Sequence, residues 1–161
     1  MPEPKPAENP PKAPATAQPG AIVDPYRAYN FKLLIDGVTE GHFTHCSGIS
    51  ARVEALRYRE GGGGPVVHRL PGPVEYGDVT LRYGLTSSKE LWTWFMGALN
   101  GQVQRKNVSV VMLGPDGTTE ALRWNLLDAW PAEWRGAHLD ALGNEIAIES
   151  ITLVFESLNR E

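Results

Sequence analysis

The sequence predicts a mainly β fold, a small β-barrel or two-sheet sandwich with one flanking α-helix, and three observations carry that expectation. Short runs of alternating apolar and polar residues recur between Gly- and Pro-rich turns, which is the strand period. A single segment, about residues 87–100, carries the helical period instead. A run of four glycines, Gly61-Gly62-Gly63-Gly64, splits a mixed-charge stretch into the two arms of one long hairpin excursion, about residues 55–70.

The chain opens on a proline-rich segment. Seven of its thirteen prolines lie before residue 20, and no aromatic residue occurs there. Proline fixes φ and removes a donor, and nothing in this segment can be buried to offset the entropy of ordering. Residues 1–25 are therefore read as a disordered N-terminal extension, either a plain tail or a tether, and residues 26–161 as one folded domain.

Phe31, Leu33 and Ile35 alternate on one strand, and Asp36-Gly37 is a tight-turn signal leading to a second run through Phe43 towards Gly48. Ser50 to Arg59 alternates more weakly. Asp78 to Tyr83 is a clean strand with Val79, Leu81 and Tyr83 facing inward. Two further strands, Asn107–Leu113 and Ala121 to about Ala129, flank the compact turn Gly114-Pro115-Asp116-Gly117. The last strand runs from about Glu145 to Ser157, with a break in parity. Ile146 and Ile148 share one face, whereas Ile151, Leu153 and Phe155 share the other. Either a bulge near Glu149-Ser150 re-phases the strand, or both faces are covered by different partners.

The helical segment begins at a capping box, Ser87-Ser88-Lys89-Glu90, and ends at Asn100-Gly101. Leu91, Trp94, Phe95, Ala98 and Leu99 form one apolar stripe, so Leu91, Trp94, Phe95 and Leu99 are expected in the helix-to-sheet core. Burying Trp94 and Phe95 contributes on the order of 2–3 kcal/mol each.

Composition narrows the function classes. A chain of 161 residues with 42% hydrophobic and 21% charged residues supports one packed core. A net charge of −4 argues against nucleic acid as the main partner. The single cysteine, Cys46, excludes an internal disulfide framework. No run reaches the roughly 20 apolar residues of a membrane helix, and the N-terminus lacks the apolar core of a signal peptide. Synthesis in the cytoplasm is the expectation.

Catalysis requires convergent groups, and the sequence offers none. His42 and His45 lie three apart on a strand and point to opposite faces, so no metal site is expected. The glycine run lacks the lysine and hydroxyl of a phosphate loop. It reads instead as the mobile tip of a hairpin whose arms, Arg57-Tyr58-Arg59-Glu60 and Val66-Val67-His68-Arg69, are suited to contact another subunit. Trp124, Trp130 and Trp134 fall within eleven residues and are read as a structural aromatic cluster rather than a ligand cage. No catalytic residue, metal or cofactor is expected.

The block from Leu70-Pro71-Gly72-Pro73-Val74-Glu75-Tyr76-Gly77-Asp78 through Thr80, Leu81, Tyr83 and Thr86 to Trp92 closely resembles a hallmark of the tail tube proteins of contractile phage tails and related injection systems. Arg123-Trp124, Ala129-Trp130-Pro131 with Trp134, and Asn144-Glu145 before the final strand are similar to that family in the same order. The resemblance covers residues 26–161. It implies a β-barrel protomer of hexameric rings that stack into a hollow tube inside a contractile sheath. Its implied partners are further copies of itself, sheath and baseplate proteins, and cargo in the lumen. The N-terminal extension departs from the family pattern, which brings in a specialised tube-initiating or baseplate-proximal ring as an alternative. A small ligand-binding β-barrel module is the alternative from another class.

Overall fold

The computed structural model describes residues 27–36, 43–62, 65–85 and 87–161. The N-terminal extension, the Gly37 half of the predicted turn, His42, Gly63 and Gly64 lie outside the described residues. The elements run β1 (Phe31–Ile35), β2 (Phe43–Ser47), β3 (Ala51–Tyr58), β4 (His68–Tyr76), β5 (Val79–Gly84), α1 (Glu90–Leu99), β6 (Lys106–Leu113), β7 (Glu120–Arg135), β8 (Ile148–Val154) and β9 (Ser157–Arg160).

The main sheet has the order β1-β6-β7-β8-β5-β2, with β9 also paired to β7 and all pairings antiparallel. One strand makes it a two-layered fold. The first half of β7 lies between β6 and β9, and its second half pairs with β8. Between the halves, Asp128 adopts φ 54 and the register against β6 shifts between Lys106 and Val108. An extra residue on one strand bends it and increases its twist, and aspartate tolerates the left-handed region better than most residues. The strand therefore turns a corner without ending, which is why β7 continues past the expected limit at Ala129 to Arg135.

Strand β1 sits at one end of this order and β2 at the other. The Asp36-Gly37 signal therefore does not produce a β1–β2 hairpin; the two strands pair with β6 and β5 instead. Local turn chemistry proposes a hairpin, but the burial of Leu33 and Ile35 against Val108 and Val110 decides the partner.

The parity break of the final strand resolves without a bulge on its β5 side. Register runs unbroken from Val79↔Leu153 to Gly84↔Ile148. Ile151 and Leu153 are fully buried, whereas Ile146 and Ile148 are exposed. The chain kinks at Phe155-Glu156, where the Glu156 amide donates to the Leu127 carbonyl at 3.1 Å, and then continues as β9. The predicted single strand over Glu145–Ser157 is thus shorter, with a second strand beyond it.

The core gathers Leu33, Ile35, Val79, Leu81, Val108, Val110, Leu126, Ala129, Ile151, Leu153 and Phe155 from the strands, with Trp94 supplied by the helix. Helix α1 begins at Glu90 and spans 10 residues rather than about 13, with Lys89 at the N-cap and no side-chain capping hydrogen bond. Its N-cap thus lies two residues beyond Ser87, the cap that the box predicts. Its end follows the expected chemistry: Gly101 has φ +80, and the Gln102 amide donates to the Gly97 carbonyl at 2.8 Å.

Trp94 is buried, and its Nε1 donates to the Gln104 carbonyl at 2.7 Å. Leu91 and Phe95 pack against the core at partial burial. Leu99 does not join them and is 66% exposed. At 3.6 residues per turn it lies about 140° around the axis from Trp94, beyond the face that meets the sheet.

Candidate functional site

Strands β3 and β4 form a separate two-stranded ribbon, paired with each other and with no other strand among those described. The ribbon spans Ala51–Tyr76, longer at its base than the expected 55–70. Strand β4 passes through Pro71 and Pro73, which a central strand would not accept. Both arms of a two-stranded ribbon are edges, so a missing amide can face outward.

The base of the ribbon is tightly built. The Gly77 amide donates to the Ser50 carbonyl at 2.9 Å. A side chain on Gly48 would overlap the Asp78 carbonyl oxygen, and one on Gly77 would overlap Ser50 Oγ. The glycines let the two chains cross closely as they leave the sheet. At the other end, Gly62 has φ +97 in the tip turn.

Side-chain placement follows from the register. Val53 faces Val74, Leu56 faces Leu70, Arg57 faces Arg69 and Tyr58 faces His68. Between Val53 and Ala55 the register slips by one residue on the β4 side, near Gly72. The slip re-phases β4, so one face carries Val53, Val74, Arg57 and Arg69, and the other carries Leu56, Leu70, Tyr58 and His68. A Cβ at Gly72 would lie 2.9 Å from Leu56 Cγ, so glycine is the residue the slip requires.

Both faces are open. Val53, Leu56, Tyr58, Val66, Val67, Leu70 and Val74 are between 45% and 57% exposed. Arg57 and Arg69 stand opposite each other, and like charges across an antiparallel pair are destabilising. Arg59, Glu60, Gly61 and Gly62 are likewise exposed in the outer part of the ribbon.

The three clustered tryptophans do not meet as a group. Trp124 lies under the Arg160 guanidinium at 6.0 Å, and Trp130 pairs in register with Val154. Trp134 makes an edge contact at 4.7 Å with Trp92 of the helix, not with Trp124 or Trp130. Spacing within eleven residues suggested a cluster, but the long β7 spreads them along its length.

Sequence reasoning missed one surface. In the connection between β7 and β8, Leu139, Leu142 and Ile146 are 77%, 96% and 80% exposed. Leu139 and Leu142 lie in a segment with neither strand nor helix period, and Ile146, expected in the final strand, precedes β8.

A groove of ≈ 570 Å³ along α1 is lined by Lys89, Thr93, Trp94, Gly97, Gln104 and Lys106, with Lys106 Nζ 5.5 Å over the Trp94 ring. Burial pushes the Cys46 thiol up to about 11 and the Tyr83 phenol up to about 12, so both stay protonated at neutral pH. Among the described residues no helix is long and apolar enough to cross a membrane.

Comparison with known proteins accounts for this architecture. The family model of the T4-like virus tail tube protein gp19 matches residues 27–159, which is nearly the whole described domain. The chain belongs to the tail tube family. It is similar to a chain of an extracellular contractile injection system, the PVC sheath-tube complex in its extended state, at 27% identity and TM-score 0.76. That match covers 85% of this chain and 91% of that chain. A chain of the anti-feeding prophage tube-terminating cap is 27% identical with TM-score 0.77, covering 91% of this chain and 97% of that chain. Hcp1 from Flavobacterium johnsoniae shares the fold at 14% identity and TM-score 0.52, over 81% of this chain and 93% of that chain. Comparison with curated proteins found no match. The tail tube fold thus consists here of the sandwich, the flanking helix and the projecting ribbon.

Proposed function

We propose that this tail tube protein is the structural protomer of a hollow inner tube, with six copies per ring and rings stacked inside a contractile sheath. The observation that carries the reading is the β3–β4 ribbon. A two-stranded ribbon is at best marginally stable alone in water, and this one leaves seven large apolar side chains about half exposed. Such a surface is suited to burial against a neighbouring copy, and the ribbon residues Arg57–Gly62 and Val66–Arg69 are its proposed contacts. Likeness to a chain of the PVC sheath-tube complex supports assembly beside a sheath. The role is mechanical rather than enzymatic.

The likeness to a chain of the anti-feeding prophage tube-terminating cap supports a second reading, a specialised ring at one end of a tube. Light scattering and negative-stain microscopy of the purified full chain test both. Rings that stack into tubes of unlimited length support the bulk tube, and rings that stop at one or two layers support an end ring. A clean monomer at high concentration would sink both readings and leave a ligand-binding module to be sought by tryptophan fluorescence.

A further inference from the structure

The ribbon is one half of an interface; a closed ring of identical copies also needs a different surface to receive it, because head-to-tail contacts join two unlike patches. We propose that the receiving surface is the β7–β8 connection of the neighbouring copy with the start of β8, residues 136–149, which takes the ribbon face bearing Val53, Val74, Arg57 and Arg69. This rests on the ring reading above.

Three observations point there. First, the connection presents apolar side chains by construction. The Asp140 Oδ1 accepts the Leu142 amide at 3.0 Å, and the Gly143 amide donates to the Asp140 carbonyl at 3.2 Å. This turn holds Leu142 outward at 96% exposure, with Leu139 and Ile146 beside it. Ile148 continues the patch on the face of β8 that the core leaves open.

Second, the charges are complementary. Residues 136–149 contain Asp140, Glu145 and Glu149 and no lysine or arginine. The outer ribbon, residues 55–70, contains Arg57, Arg59 and Arg69 against Glu60, a net of +2. Asp140 and Glu145 line a notch of ≈ 290 Å³ with His138, Gly143 and Asn144. Third, the ion pairs within the described residues involve neither Arg57 nor Arg69, nor Asp140 nor Glu145. The unfavourable Arg57↔Arg69 juxtaposition is relieved when carboxylates of a second copy approach that face, and Val53 and Val74 then meet the leucines and isoleucines.

Charge reversal in the full chain tests the pairing. One variant carries Arg57→Glu and Arg69→Glu. The other carries Asp140→Asn and Glu145→Arg, the asparagine keeping the acceptor that shapes the turn. Circular dichroism melts first establish that both fold. Each variant alone is expected to need at least about tenfold more protein for half-assembly by light scattering. An equimolar mixture is expected to recover assembly, because an alternating ring pairs a glutamate ribbon with an arginine connection and an arginine ribbon with an acidic one.

If the Asp140→Asn/Glu145→Arg variant assembles like the wild type, or the mixture fails to recover, the connection is not the receiving surface. If the wild type itself remains monomeric, the ring reading fails instead. A Leu142→Cys/Val53→Cys pair in a Cys46→Ser background supplies a second measurement. Oxidation of assembled particles should give a ladder of covalent multimers, and only monomer on a denaturing gel would overturn the contact.

Discussion

Gly48 and Asp78 meet where the ribbon leaves the sandwich, with the Gly48 α-carbon so close that any side chain there would overlap the Asp78 carbonyl oxygen. Gly48 also holds φ +91, a conformation that side chains of L-residues rarely adopt. Gly48→Ala is therefore expected to cost about 1–3 kcal/mol, from strain and close approach together. Gly62→Ala at the ribbon tip shares the positive φ but has no neighbour within 4 Å, so its cost should be about 1 kcal/mol. Urea titration of both variants checks this. Equal effects would mean that the contact with Asp78 contributes nothing.

Helix α1 is held to the sheet by one residue more than by its stripe. Trp94→Ala removes a buried indole and leaves the Gln104 carbonyl without its donor, for an expected loss of about 3–5 kcal/mol. Leu99→Ala, although the residue continues the apolar pattern, should change stability by less than about 0.5 kcal/mol. Thermal or chemical unfolding that ranks these two the other way would mean that the helix packs in another rotation.

Cys46 gives a pH-dependent prediction. Burial raises its folded pKa from 9.0 to about 11, so the folded state holds the thiol proton more tightly than the unfolded state. The resulting stability is fully present below pH 9 and is lost as the pH rises from 9 to 11. At pH 8 the folded chain should alkylate with iodoacetamide about a hundredfold more slowly than the same chain in denaturant. A Cys46→Ser variant should lose the thiol-linked part of the decline between pH 9 and 11. Equal alkylation rates in the two states would show the thiol to be open.

Deletion of Glu60–Pro65 shortens the ribbon without touching the core of Leu81, Leu126, Ile151 and Leu153. The variant is expected to melt like the wild type and to fail to form tubes. Normal tubes by negative stain would remove the ribbon tip from the interface.

Much of this molecule was determined by its sequence alone. Alternation identified the strands that carry Leu33, Val79, Leu81 and Ile151, because a half-buried strand must place every second residue inward. Helical spacing identified Trp94, and the glycine run beginning at Gly61-Gly62 marked the turn between arms that stay open. Tertiary structure decided the rest. Pairing of β1 with β6 rather than β2 depends on long-range burial, which overrides a local turn signal. The corner at Asp128 depends on a register slip between two strands, and no single strand records that in its own pattern. Leu99 and Leu142 look like core residues as letters, yet the rotation of α1 and the turn at Asp140 leave both exposed. Periodicity shows which residues share a face of one element, but only packing selects the face that another surface covers.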